Sequence, residues 1–187
     1  MALTYTPESS RTKTLPAFSG KTIFGEDFTD KSIKQNKVAL FMFICNHCPY
    51  VQAIEERLIE LGNYLKNRDV QVVAICSNDS TDHPEDSLEN LQKKYKAKQY
   101  GFTYLHDEDQ SLAKSFGAVC TPDFFVFNFQ NNSNGELVYR GRLDDSWRDP
   151  DKVTKQELKM VIDQLLENNS FNIQEKPSMG CSIKWKS

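Results

Sequence analysis

The chain has 187 residues, enough for one domain with its own core and no need of a disulfide lattice or structural metal. Lys plus Arg number 23 against 26 Asp plus Glu, a net charge of −3, which argues against a phosphate-binding surface and hence against nucleic acid as a partner. No apolar run approaches the ~20 residues of a bilayer span. The N-terminal MALTYTPESSRTKTLPAF lacks the apolar stretch of a secretory signal, so the expected setting is cytoplasmic and not membrane-bound.

Residues 1–14 are polar and read as a flexible arm. LPAFSGKTIFGEDF, two apolar pieces around Gly20-Lys21, predicts a β-hairpin. Val38–Ile44 is wholly apolar and too short for a helix, as expected of a strand covered on both faces. After Cys48-Pro49, the residues Val51, Ile54, Leu58, Leu61 and Leu65 recur at helical spacing, with proline suited to the first turn. Val70–Cys76 is a second buried strand, and Asp79–Asp86 a loop and helix start in which Glu85 and Asp86 suit the positive helix end. A helix through Leu88, Leu91 and Tyr95 follows, then a short strand Phe102–Leu105 and a short helix Gln110–Phe116 closed by Gly117. Phe124–Phe129 is a third long strand, turned at Gly135 into an antiparallel partner, Leu137–Arg140. Thr154–Leu166 is the last amphipathic helix. The expectation is one α/β domain over 15–167, a central mixed sheet flanked by helices with an N-terminal β-hairpin extension, and a loose C-terminal tail over 168–187.

Five cysteines are too few and too scattered for a disulfide scaffold. The informative pair is in Cys45-Asn46-His47-Cys48-Pro49, between a buried strand and a helix. There the free N–H groups and positive end of the helix favour a thiolate, and a thiolate is the nucleophile of thiol–disulfide exchange. This reading makes Cys45 the attacking sulfur, the more exposed and more acidic of the two, and Cys48 the thiol that resolves the mixed disulfide. A zinc site would need two more ligands, and Cys76, Cys120, His83 and His106 are isolated.

A strand, C-x-x-C, a long helix and then Thr121-Pro122 before another strand resembles the thioredoxin superfamily over about residues 15–167. The extra N-terminal hairpin is similar to the redoxin and peroxiredoxin-like branch, of AhpC/TSA type. More narrowly, Cys45-Asn46-His47-Cys48-Pro49-Tyr50 and Gly141-Arg142-Leu143-Asp144-Asp145 resemble a group of bacterial thioredoxin family proteins. The resemblance implies a cis Pro122 beside the cysteines, with backbone near Thr121 pairing with the substrate chain. It further implies Asn46, Pro49 and Arg142 lining that site, and a thiol–disulfide oxidoreductase or antioxidant activity. Substrates would be protein or small-molecule disulfides, served by an electron donor not yet identified, with no cofactor or metal.

Two positions depart from the family pattern. Peroxiredoxins place a threonine three residues before the reactive cysteine, where Met42 stands, and many thioredoxins bury an aspartate six residues before it, where Ala39 stands. A proton acceptor must therefore come from elsewhere. His47 can stabilise a Cys45 thiolate when protonated. Cys120 and Cys181 are possible accessory thiols: Cys120 near the proline loop or simply packed, Cys181 on a mobile tail that could reach back to the pair. The alternatives are a peroxiredoxin-like peroxidase using Cys45, and a copper- or zinc-binding module in which His83 or His106 would complete the site.

Overall fold

The computed structural model describes residues 3–7, 12–33 and 35–186. Its centre is a five-stranded sheet in the order β6-β5-β4-β8-β9, where β4 is Val38–Phe43, β5 Val70–Cys76, β6 Thr103–His106, β8 Asp123–Asn128 and β9 Glu136–Gly141. β4, β5 and β6 run parallel, while β8 and β9 pair antiparallel, so the sheet is mixed. Every residue of β4 and of β8 is buried. This explains the unbroken apolar runs, because a strand covered on both faces has no side to leave polar.

The two faces differ. Leu40, Met42, Ala74, Phe124 and Val126 face helices α1 (Pro49–Leu65) and α4 (Glu157–Asn168), with Leu91 of α2 (Leu88–Lys98) in the same core. Phe41, Phe43, Phe125 and Phe127 face α3 (Ser111–Phe116) and the N-terminal segment. On that side Phe116 meets four phenylalanines of the sheet at centroid distances of 4.9–5.9 Å. Such edge-on or tilted pairs each contribute about 0.5–1.5 kcal/mol beyond their buried area. Gly117 closes α3 in the left-handed conformation at φ +66°, which glycine adopts without a Cβ clash.

The hairpin extension is β2 (Ser19–Lys21) against β3 (Asp27–Thr29). Its turn is displaced from the expected Gly20-Lys21. Both of those residues lie in β2, and the chain reverses where the Thr22 hydroxyl accepts from the N–H groups of Phe24 and Glu26 and Gly25 takes φ +89°.

Both expected loose ends are corrected. Within the N-terminal 14 residues, Leu3–Tyr5 is a strand, β1 (residues 1, 2 and 8–11 lie outside the described residues). The C-terminal tail contains strand β10, Met179–Ser182, which pairs antiparallel with β1 on one side and with β7 (Cys120–Thr121) on the other. The two ends supply each other's hydrogen-bonding edge, and a short strand cannot be read from either end alone. Among the described residues, no helix is long and apolar enough to cross a membrane.

Candidate active site

The ends of parallel strands β4 and β5 and the start of antiparallel β8 meet at one edge of the sheet, since Phe43 pairs with Ile75 and with Asp123. The segment 44–48 leaves β4 there and enters α1, with Cys48 as the extended N-cap and Pro49 as the first helical residue. Both sulfurs converge on one residue of the neighbouring loop. Cys45 Sγ is 3.3 Å from the Thr121 hydroxyl, and Cys48 Sγ is 3.1 Å from the Thr121 carbonyl oxygen. The Thr121–Pro122 peptide is cis. All five cysteines are free thiols, and Cys45 and Cys48 are 2% and 0% exposed.

The group that organises this loop is Asp86, fully buried in the segment after β5. One carboxylate oxygen accepts from the N–H groups of Asn46 and His47, and the other from the His47 ring at Nδ1 and from Asn78 Nδ2. Burial works to raise the Asp86 pKa, but these bonds, led by the one from His47, outweigh it and hold the carboxyl below its ordinary range. In the sequence Asp86 reads only as a residue suited to a helix end. The one signal that could have found it is topological. Segments following parallel neighbouring strands emerge at the same edge, and that edge is where such sheets place their sites. Asp86 is thus a buried acid beside the pair, in a chain that has Ala39 six residues before Cys45. His47 Nδ1 lies 3.7 Å from Cys45 Sγ, its ring held there by Asp86 and stacked 4.0 Å from His83.

The two thiols do not share charge as expected. Cys48 is drawn down to about 5, first by a hydrogen bond from Cys45 and then, against burial, by Cys181 and the Val51 N–H of the first helical turn. Burial pushes Cys45 up, and its role as donor to Cys48 and the nearby Asp86 charge add to this. Opposing the fall at Cys48, its thiol donates to the Thr121 carbonyl, a contact that favours its protonated form. The surroundings thus pull the two thiols apart, Cys48 downward and Cys45 upward. Both thiols are buried, Cys45 at 2% and Cys48 at 0% exposed, so neither is presented to solvent as expected, and the expected order of acidity is reversed, with the pKa of Cys48 lowered and that of Cys45 raised.

The remaining sequence-flagged residues fall into three groups. Asn46 is turned into the loop, where its amide donates to the Glu85 carbonyl, and Pro49 is exposed at the helix start. Arg142 pairs with Glu157 and lines a cavity of about 250 Å³ that also contains Pro122, Trp147 and Met179, so it flanks the proline loop rather than the sulfurs. Cys120 is buried with its sulfur 3.9 Å from the Pro122 carbonyl and is pushed up to about 12, chiefly by burial. Cys181 is not on a mobile tail: it is 1% exposed in β10, opposite Thr121 and in the same core cluster as Cys45 and Cys48. Cys45, His47 and Asp86 offer ligand atoms within 4.8 Å of one another; neither His83 nor His106 joins that set. A metal there would have to displace the His47–Asp86 bond.

A redox-thiol family can be recognised at this point. The family model described as AhpC/TSA family matches residues 12–134. The chain belongs to the AhpC/TSA family. The fold is similar to that of an uncharacterized conserved protein from Geobacillus kaustophilus, with 38% identity, TM-score 0.90, 100% of this chain and 97% of the other covered. It is also similar to a hypothetical protein from Sinorhizobium meliloti, with 35% identity, TM-score 0.88 and 98% of both chains covered. A thiol:disulfide interchange protein of the thioredoxin family from Chlorobium tepidum shares the fold at 20% identity and TM-score 0.55, over 70% of this chain and 85% of that one. No curated protein matches the sequence. The architecture is thioredoxin-like, and membership of the family makes the chain a redox thiol protein in the general sense.

Proposed function

We propose that this protein is a thiol–disulfide oxidoreductase that cycles Cys45 and Cys48 between dithiol and disulfide, acting on protein or small-molecule disulfides and recharged by a dithiol donor. The observation that supports this best is the convergence of both sulfurs on Thr121, beside a buried His47–Asp86 pair. Cys45, ahead of the helix, is the sulfur offered to the substrate. As it attacks, its proton passes to the neighbouring Cys48, the thiol of the pair whose acidity is raised. One substrate sulfur leaves as thiolate, and the other stays bonded to Cys45. Cys48 then yields its proton to solvent or to the departing sulfur, attacks Cys45, and releases the second substrate thiolate. The Thr121 hydroxyl and the His47 ring face the Cys45 sulfur throughout.

The test is reduction of insulin or a small disulfide with a dithiol supplied. Cys45→Ser should abolish turnover, and Cys48→Ser should accumulate mixed disulfides on Cys45. Mixed disulfides trapped on Cys48 in the Cys45→Ser protein would reverse the two roles.

One contact favours a second reading, a thiol peroxidase using Cys45: Thr121 supplies a hydroxyl at the sulfur although Met42 does not. The His47 ring at 3.7 Å is engaged by Asp86, which leaves the Thr121 hydroxyl to hold and polarise a peroxide, and loss of one preorganised donor costs roughly 10²–10³ in rate elsewhere. Hydrogen peroxide consumption should therefore be slow beside disulfide reduction. Fast peroxide turnover that survives Cys48→Ser would favour the peroxidase.

A further inference from the structure

One edge of β7, the backbone just before Pro122, is occupied by the chain's own tail. Cys181 pairs with Thr121, Ser182 with Cys120, and the Ile183 N–H donates to the Val119 carbonyl. The tail is fastened on both sides of the site. The Lys184 N–H donates to the side chain of Asn78, which itself donates to Asp86, and Gln110 bonds to the backbone of Lys184 and Lys186. The approach of β10 is closer than a side chain allows, since a Cβ on Gly180 would lie 1.9 Å from the Thr121 carbonyl oxygen. That close seating brings Cys181 to the pair. Cys181 stands directly opposite Thr121, on the same face of the strand pair as the Thr121 side chain that meets Cys45 Sγ, while the Thr121 carbonyl meets Cys48 Sγ; the three sulfurs lie in one buried core cluster around that residue.

We propose that Cys181 is a third redox thiol, which attacks Cys48 in the oxidised pair and moves the disulfide from Cys45–Cys48 to Cys48–Cys181. The proposal rests on the cycling of Cys45 and Cys48 argued above. The new bond joins Cys181 Sγ to Cys48 Sγ as the Cys45–Cys48 bond breaks. The electron pair of the broken bond leaves on Cys45, and the proton lost by Cys181 ends there. The exchange is redox-neutral and needs no further oxidant. It returns Cys45 to the thiol state and bonds the tail covalently across the edge where a substrate chain would pair.

The test uses the full chain, oxidised with a small disulfide, alkylated and mapped by mass spectrometry without reduction. The wild-type protein should yield a Cys48–Cys181 linked peptide together with alkylated Cys45. Cys181→Ser should yield only Cys45–Cys48, with Cys45 protected from alkylation. Gly180→Ala, in which the added methyl group forces β10 off Thr121, should lose the Cys48–Cys181 peptide, keep Cys45–Cys48, and speed alkylation of Cys45 in the reduced protein. A wild-type map holding only Cys45–Cys48, or a Cys45–Cys181 link instead, overturns the role of Cys181 while leaving the primary pair standing. Absence of any disulfide at Cys45 in both the wild-type and Cys181→Ser proteins overturns the cycling itself.

Discussion

Two carboxylates flank the end of β4, both 0% exposed, and they behave in opposite ways. Asp123, at the start of β8, is paired with the Arg140 guanidinium at 2.7 Å and accepts from the Thr6 hydroxyl at 2.9 Å. Asp86, on the other side, has no guanidinium or ammonium partner among its hydrogen bonds and is held by two backbone N–H groups, an amide and an imidazole. Yet burial raises Asp123 in spite of Arg140, while Asp86 is lowered in spite of burial. At Asp123 burial is the larger influence and outweighs Arg140, Thr6 and the Phe124 N–H, whereas at Asp86 the donors, led by His47, outweigh burial. The Asp123–Arg140 pair is a clamp between β8 and β9. Asp86 is a fixed negative centre that shapes the thiol loop.

The largest effect that would test this contrast is on the clamp. Asp123→Ala leaves the Arg140 guanidinium buried without its carboxylate and should cost about 3–5 kcal/mol, read as a fall in unfolding free energy in urea. A loss no bigger than the ~1 kcal/mol of an exposed pair would show that the clamp adds little. Asp86→Asn is nearly isosteric but turns an N–H group towards other donors, for about 1–3 kcal/mol. Because it also frees the His47 ring beside Cys45, it should slow disulfide exchange; an unchanged exchange rate with reduced stability would make Asp86 merely structural.

The acid range sharpens the comparison through its sign. Asp86, lowered in the folded state, contributes stability present above about pH 4 and lost as pH falls through its folded pKa. Asp123, raised, contributes stability that is present at low pH and lost as pH rises above about 4. Replacing each by Asn should therefore change the slope of unfolding free energy against pH in opposite directions. Cys48 follows the Asp86 pattern higher up. With its thiol lowered from 9.0 to about 5, the reduced protein should gain stability over the oxidised one as pH rises across that interval, and lose it as pH falls through about 5. A reduced-minus-oxidised difference flat over this range would place the thiolate elsewhere. The smallest expected effect is Thr6→Val, which removes one hydrogen bond to Asp123 and ties the N-terminal segment less firmly, at about 1 kcal/mol by thermal or urea unfolding.

The legible parts of the molecule are those written in neighbouring residues. The strands around Val38–Phe43, Val70–Cys76 and Asp123–Asn128 could be read because burial on both faces demands unbroken apolar runs. The helix after Cys48 could be read from its apolar spacing and Pro49, and the cysteine pair from its place between strand and helix. Nothing in the composition of residues 1–14 or 168–187 marks β1 or β10, whose existence depends on each other and on β7.

Sequence alone determined the sheet, its helices and the pair of thiols, because local periodicity and a strand-to-helix junction are enough to specify them. Tertiary structure decided how the acidities of the two thiols are pulled apart, which acid is buried beside them and what covers them. Those outcomes depend on partners far along the chain: Asp86 meets Asn46 and His47, and Cys181 meets Thr121 and Cys48. Ionisation of a buried group is set by the donors around it rather than by its own type, and those donors are chosen only when the chain closes on itself.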